Sequence, residues 1–128
     1  QGAQAHLEKK GIHSANIHVV KVSGSFELPL ACQLLIDSKK VSGVIALGAV
    51  IKGSTNHYDY VCSGVTSGLM NVQLSRSTPV SFGVLTCETL EQALDRVGGK
   101  LGNKGIEAAE ACLEMITLKE KLTNGNKL

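Results

Sequence analysis

The sequence has 128 residues, 43% of them hydrophobic and 19% charged, with a net charge of +2. A chain of this length holds one domain with an ordinary hydrophobic core, and the composition excludes disorder. The small net charge and the 3% of aromatic residues disfavour nucleic-acid binding. No apolar run reaches the ~18 residues that a membrane span needs, so we expect no membrane partner.

The four cysteines are far apart in the sequence and form no pair or cluster with the spacing of zinc ligands. We therefore expect no bound metal, and four reduced thiols in a reducing compartment. Residues 1–10 lack the apolar core of a secretory signal, which favours a cytoplasmic protein.

Strands and helices alternate along the chain. In chain order we predict the end of a helix in 1–10, a strand at 16–22, a helix at 27–39, a strand at 44–50, a helix at 57–75, a strand at 80–86, helices at 89–97 and 105–122, and a frayed basic tail at about 119–128. The second and third strands are almost continuous apolar runs, which is typical of parallel strands buried on both faces. The alternation predicts right-handed crossovers and a three-layer α/β/α sandwich with a parallel sheet, formed as one domain over residues 1–128.

Apolar residues recur along the predicted helices at the spacing of a buried face. Helix 89–97 opens with Thr89 and has Gln92 three residues later, which is the pattern of a capping box. Helix 105–122 carries two apolar rows, so we expect it to contact two neighbours. The predicted inward-facing residues of the helices at 27–39 and 57–75 are Leu28, Ala31, Leu34 and Leu35, and Val61, Val65, Leu69 and Val72.

Ligands of an open parallel sheet bind beyond the carboxyl ends of the strands, so the residues that follow each strand are the candidates. Residues 48–55 nearly match a nucleotide P-loop, but Ser54 stands where that motif requires Lys. Ser54 and Thr55, with the free amides of the following helix, can bind a single phosphate. The same residues are also typical helix caps, and the pattern leaves both interpretations open.

Three further positions carry side chains suited to chemistry. His57 follows the Ser-Thr loop, and imidazole suits proton transfer near neutral pH. The other three histidines are interpreted as ordinary surface residues or as histidines with satisfied hydrogen bonds. Glu27, at a helix start, either stabilises the helix dipole or accepts hydrogen bonds from a ligand. Arg96 and Lys104 lie in a glycine-rich basic stretch, which is either a solvated loop or a phosphate clamp.

Four motifs in order carry a family resemblance: SGSFELP at 23–29, GAVIKGSTNHYDY at 48–60, FGVLTCETLEQALDR at 82–96 and GNKG at 102–105. Together they resemble the 6,7-dimethyl-8-ribityllumazine synthase family of riboflavin biosynthesis, over about residues 3–118. The resemblance implies a flavodoxin-like α/β/α fold with a four-stranded parallel sheet. It also implies homopentameric rings, some assembled into icosahedral shells, with active sites between adjacent subunits.

The resemblance further implies a reaction and a site. The family condenses 5-amino-6-ribitylaminouracil with 3,4-dihydroxy-2-butanone 4-phosphate, releasing phosphate and water, without a metal or organic cofactor. His57 is implied as the proton shuttle. The residues implied to bind the pyrimidine substrate are Ser25, Phe26, Glu27, Ala49, Val50, Ile51 and, from the adjoining subunit, Phe82. Those implied to bind the butanone phosphate are Ser54, Thr55 and, from the adjoining subunit, Arg96 and Lys104.

The sequence departs from the family pattern at its N-terminal end. The family has a strand and an aromatic loop there for which this sequence has no counterpart, so we expect the sheet and the pyrimidine pocket each to lack one part. Lys52 stands where many relatives have Arg. The alternatives are a non-catalytic shell subunit of the same fold, a flavin-binding module and a P-loop nucleotidase. A plastid location is the alternative to the cytoplasm.

Overall fold

The computed structural model describes residues 1–125 as a parallel β-sheet flanked by helices, which confirms the predicted α/β fold class. The helices are α1 (Gly2–Lys9), α2 (Leu28–Asp37), α3 (His57–Arg76), α4 (Leu90–Asp95) and α5 (Lys104–Thr123), and the strands are β1 (Val44–Ile51), β2 (Val80–Cys87), β3 (Val97–Gly99) and β4 (Gly102–Asn103). Within this range no helix is long and apolar enough to cross a membrane.

β1 and β2 pair in parallel, and their register brings both carboxyl ends to one edge of the sheet. Val44 lies opposite Val80 at the start, and Ile51 lies opposite Cys87 at the end. Helices α2 and α3 pack on one face, while α5 and α4 pack on the other. The chain must therefore leave both strands at the same edge, and the loops that follow them become neighbours.

The main core lies between the sheet and the α2–α3 pair. Alternate residues of β1 point into it, because side chains of a strand alternate between the two faces. Val65 of α3 lies at the centre of this core and is only 1% exposed. The predicted stripe of α3 is confirmed, because Val65, Leu69 and Val72 are all buried.

Two predictions about individual helices are confirmed. The Thr89 hydroxyl accepts a hydrogen bond from the Gln92 amide at 3.2 Å, and the Gln92 side chain accepts one from the Thr89 amide at 3.3 Å, which forms the capping box of α4. α5 contacts two neighbours, since it packs on the sheet with one side and on α1 with another.

An ion pair links the ends of α2 and α3. The Arg76 guanidinium donates to the two carboxylate oxygens of Asp37, at 2.8 Å from Nε and 3.3 Å from the second nitrogen. The hydrogen bond from Arg76 holds the pKa of Asp37 below its usual range. This contact fixes the far ends of the two helices, opposite the edge where both strands finish.

All four cysteines are free thiols, and burial controls the protonation state of two of them. It raises the pKa of Cys32 to about 11 and that of Cys112 to about 11. Both thiols therefore stay protonated at neutral pH, and they serve as small core side chains rather than as reactive groups.

The predicted strand at 16–22 is wrong. Ser14–Asn16 forms a 3₁₀ turn, and residues 17–22 belong to no helix or sheet among the described residues. Val19 and Val20 remain 66% and 56% exposed. The β-branched composition favours an extended backbone, but a strand also needs a neighbouring strand to satisfy its amides and carbonyls, and β1 pairs with β2 instead.

Three smaller expectations are also corrected. Residues 97–103 form a short antiparallel hairpin, β3–β4, rather than a loop, because Gly98 and Gly102 supply the positive φ angles of 107° and 95° that its turns require. Leu34 is 60% exposed, and Cys32 and Ile36 form the buried face of α2 instead. The basic tail is helical through Thr123, while its last three residues lie outside the described range.

We expect Val65→Ala to lower the free energy of unfolding by about 2 kcal/mol. The change removes two buried carbons and leaves a cavity that the packed helices cannot close. Urea denaturation, monitored by circular dichroism, measures this decrease in the free energy of unfolding. Val19→Ala is the matched control, and its effect should stay within about 0.5 kcal/mol because Val19 is mostly exposed. Equal losses in the two variants would contradict this account of the core.

Candidate active site

The predicted site residues of the first half of the chain collect at the edge where β1 and β2 end. The amide of Lys52 donates to the Cys87 carbonyl at 2.9 Å, which extends the pairing one residue beyond β1. Loop 53–56 then leads directly into α3, which begins at His57. The 3₁₀ turn Ser25–Glu27 packs against β1 and α3 from the side of α2. The structure therefore brings two separate sequence segments, residues 25–27 and residues 49–57, to one surface.

Ser25 is seated on β1 because Gly48 has no side chain. The Ser25 hydroxyl donates to the Ala49 carbonyl at 3.5 Å, a long hydrogen bond. A Cβ atom on Gly48 would lie 2.7 Å from the Ser25 oxygen and 3.3 Å from a Leu28 methyl carbon. The backbone of β1 and the 3₁₀ turn thus approach each other more closely than any other residue at position 48 would allow.

A second glycine determines the position of Phe26. A Cβ atom on Gly64 of α3 would lie 2.7 Å from the Phe26 ring, so the ring rests directly on the helix backbone. Phe26 is nevertheless 60% exposed, so it is not a core residue of its own chain. Glu27 is also exposed, and its carboxylate folds back over Gly24. The turn therefore presents an aromatic face and a carboxylate side by side at the surface.

The residues at the end of β1 reach this surface in different ways. Val50 is buried in the main core, so only its backbone is available at the edge. Ala49 and Ile51 point to the opposite face and are exposed. Val50 could therefore contact a ligand only through its backbone, whereas Ala49 and Ile51 could contact it through their exposed atoms.

Thr55 precedes Asn56, the N-cap residue of α3, whose side chain makes no capping hydrogen bond. The Thr55 hydroxyl accepts a hydrogen bond from the His57 amide at 3.3 Å, so it satisfies one of the free amides at the helix start. Ser54, Thr55 and His57 are all exposed beside this helix start, whose dipole places partial positive charge there. Lys52 adds a cation, and its ammonium group lies 3.9 Å from the Glu88 carboxylate in the loop after β2. The exposed hydroxyls, the helix dipole and Lys52 together favour an anion over a cation.

Arg96 and Lys104 are brought together by the β3–β4 hairpin. The Lys104 amide donates to the Arg96 carbonyl at 2.6 Å, and the Leu101 amide donates to the Asp95 carbonyl at 2.7 Å. Within residues 1–125 the hairpin packs mainly on α4 rather than on α3 or the Ser25–Glu27 turn. Arg96 and Lys104 thus form a basic group on the same chain that is separate from the surface at the end of β1.

Phe82 lies away from the edge where the other residues collect. It pairs with Ala46, five residues before the end of β2 at Cys87, which is about 16 Å along the strand. Its ring is 40% exposed, although its neighbours in the strand are buried. Phe82 therefore presents an aromatic surface that its own chain leaves partly uncovered.

Several residues that shape this surface have no recognisable signal in the sequence. Gly48 and Gly64 matter only through the side chains that approach them, which no local pattern encodes. Tyr58 and Cys62 of α3 also lie at the edge, packed against the main core. Within residues 1–125 no cluster of three or more His, Cys, Asp or Glu residues is arranged to hold a metal ion.

The fold and this surface define a parallel α/β protein with a candidate ligand site at the carboxyl edge of its sheet. The 6,7-dimethyl-8-ribityllumazine synthase family model matches residues 1–120. The chain is 50% identical over 121 residues to the 6,7-dimethyl-8-ribityllumazine synthases of Desulfovibrio desulfuricans and Lactiplantibacillus plantarum. The matches cover 94% of this chain, and 78% and 76% of those proteins. The chain belongs to the 6,7-dimethyl-8-ribityllumazine synthase family, as its motifs predict.

We expect Gly48→Ala to displace the Ser25–Glu27 turn and to lower the free energy of unfolding by about 1–3 kcal/mol, because the new methyl group overlaps Ser25. Amide chemical shifts of residues 25–27 and urea denaturation measure the two effects. Gly53→Ala is the control, since a Cβ atom there meets nothing within 4 Å. Unchanged shifts in Gly48→Ala would contradict the close approach of the turn to β1.

Proposed function

We propose that this chain is a transferase that condenses 5-amino-6-ribitylaminouracil with 3,4-dihydroxy-2-butanone 4-phosphate to form 6,7-dimethyl-8-ribityllumazine, phosphate and water in riboflavin biosynthesis. The observation that carries the proposal is the surface formed by the Ser25–Glu27 turn, the end of β1 and the start of α3, in a chain of this family. Two substrates must react there, and holding them together can lower the barrier by up to ~7–11 kcal/mol.

The Ser25–Glu27 turn is proposed to bind the pyrimidine substrate. The exposed ring of Phe26 offers an apolar face for the heterocycle, and the exposed carboxylate of Glu27 can accept hydrogen bonds from ribityl hydroxyls. Backbone groups of residues 49–51 complete this half of the site. Its position beside the end of β1 is supported by the contact between Ser25 and Ala49.

The start of α3 is proposed to bind the butanone phosphate and to transfer protons. The exposed hydroxyls of Ser54 and Thr55 lie at the positive end of the helix dipole, which favours a phosphate group. His57 follows in the first turn and moves protons during imine formation, phosphate loss and ring closure. The phosphate then departs as an anion, which fixed positive charge stabilises.

A neighbouring subunit is proposed to supply Phe82, Arg96 and Lys104. The Phe82 position, about 16 Å along β2 from the edge, supports this assignment because its own chain's site lies at that edge. The basic hairpin is flanked by exposed apolar side chains that a second copy can cover, namely Leu90, Leu94, Val97 and Leu101. We propose a homopentamer, alone or within a shell, in which each site spans two subunits.

The family membership does not favour a non-catalytic shell subunit, since the matching relatives carry the enzyme's name. A turnover assay with both substrates, read by the absorbance of the lumazine product, decides between the two. We also propose that the protein works in a reducing, cytoplasmic compartment, which the four free cysteines support.

We expect His57→Ala to slow turnover by ~10²–10⁴-fold without abolishing it, because proton transfer is one contribution and substrate positioning remains. Steady-state kinetics with both substrates measures the change. His18→Ala is the matched control, because His18 is exposed and lies outside the proposed site. A complete loss of turnover in His57→Ala with binding intact would contradict this division of roles.

We expect Arg96→Ala to raise the KM for the butanone phosphate by about tenfold to a hundredfold, because a hydrogen bond to a charged group contributes ~1.5–3 kcal/mol. The KM for the pyrimidine should change little. Lys100→Ala, a cation of the same hairpin, is the control. A selective loss of pyrimidine binding would show that Arg96 is wrongly assigned.

The two variants together also test whether the site spans two subunits. In rings that contain His57→Ala and Arg96→Ala chains in equal amounts, about a quarter of the intersubunit sites hold both intact residues. At a butanone phosphate concentration below the wild-type KM, activity of the co-expressed mixture should therefore exceed that of either variant alone. If each site lay within one chain, no intact site would form, and the mixture would only average the two variants.

A further inference from the structure

Lys52 and Glu88 face each other across the ends of the two parallel strands. The Lys52 ammonium group lies 3.9 Å from the Glu88 carboxylate, and the two side chains are 51% and 70% exposed. An ion pair as exposed as this one contributes little to stability, because water screens both charges. The pair can therefore open at little cost when another anion approaches Lys52.

Both residues of the pair stand on a fixed backbone. The Lys52 amide donates to the Cys87 carbonyl at 2.9 Å. The Glu88 amide donates to the side-chain oxygen of Gln92 at 2.8 Å, and Gln92 belongs to the capping box of α4. The movement that remains is that of the side chains, so the Lys52 ammonium turns about an anchored backbone beside loop 53–56.

The loop that follows Lys52 leaves room for a ligand. A Cβ atom on Gly53 would meet nothing within 4 Å, so no neighbouring group covers the loop at this position. The Cα atom of Ser54, two residues after Lys52, lies within about 7 Å of the Lys52 Cα atom. The flexible four-carbon stem of a lysine covers such a distance, and its ammonium group offers three donors. A phosphate held by the hydroxyls of Ser54 and Thr55 is therefore within reach of Lys52.

We propose that Lys52 is a further phosphate-binding residue of the site, and that Glu88 holds its ammonium group until the phosphate of the butanone substrate replaces the carboxylate. This inference rests on the proposed function for the identity of the phosphorylated substrate. A phosphate monoester carries about −1.5 to −2 charges at neutral pH, whereas a carboxylate carries a single charge, so the phosphate is the stronger partner for a lysine. Lys52 acts within its own chain's site, unlike the proposed cations of the neighbouring subunit.

Lys52→Met tests the proposal because it keeps an unbranched stem and removes the charge. We expect the Kd for inorganic phosphate to rise by about fivefold to tenfold, measured at constant ionic strength from the amide chemical shifts of residues 53–57. Lys52→Arg keeps the cation and should retain most of the affinity. Lys40→Met is the matched control, because it removes the same charge from an exposed lysine that precedes β1, at the opposite end of the sheet, and its Kd should equal that of the wild type.

Glu88→Gln tests the exchange between carboxylate and phosphate. Without the competing charge, the Kd for inorganic phosphate should fall by about twofold to fivefold. In the Lys52→Met background the same substitution should have no effect, because no ammonium group remains for Glu88 to hold. A wild-type Kd in Lys52→Met, an unchanged or higher Kd in Glu88→Gln, or an equal gain with and without the lysine would overturn the proposal.

Steady-state kinetics separates this inference from the proposed function. If the chain makes lumazine, Lys52→Met should raise the KM for the butanone phosphate by a similar factor and leave the KM for the pyrimidine unchanged. If the wild-type protein makes no lumazine, the proposed function fails, and the phosphate titration alone decides whether Lys52 binds phosphate. In either case, wild-type protein whose amide shifts do not respond to phosphate would refute the role of Lys52.

Discussion

The parallel register between β1 and β2 is the constraint on which the other features of the structure depend. With Ile51 opposite Cys87, both strands end at one edge, and the loops that follow them must meet there. The same register points alternate residues of both strands toward the α2–α3 pair, where they form the main core. A slip of one residue would turn those side chains to the other face, so core packing and the geometry of the edge are specified together.

At this edge, closely packed backbone segments carry exposed side chains. Gly48 and Gly64 let the Ser25–Glu27 turn approach β1 and α3 closely, so its exposed side chains are held by backbone contacts rather than by their own burial. Hydrogen bonds at Thr55 and Lys52 hold the second segment, residues 52–57, against α3 and β2. Fixed backbones that carry exposed polar and aromatic groups are what a site for two small substrates needs, because positioning supplies much of the rate.

Most elements of the fold could be predicted from the sequence, and the errors have a common cause. The continuous apolar runs predicted β1 and β2 within one residue at each end, and Thr89 with Gln92 predicted the start of α4. The segment 16–22 has an equally β-rich composition but lacks a pairing neighbour within residues 1–125. The β3–β4 hairpin was missed because its strands are two and three residues long and it depends on glycines with positive φ. The composition of a segment indicates which backbone conformation it prefers. Whether it becomes a β-strand depends on a second segment that can pair with it.

The sequence by itself determined the family, through four ordered motifs, and the chemical character of the candidate groups, including His57, Glu27 and Arg96. Only the tertiary structure decided which of them lie together. It placed the Ser25–Glu27 turn beside the start of α3, joined Arg96 to Lys104 through the hairpin, and left Phe82 far along β2. The physical reason is that residue type sets what a side chain can donate, accept or bury. Its distance from another side chain depends on strand register and on close approaches, such as those at Gly48 and Gly64, that arise between segments distant in the chain.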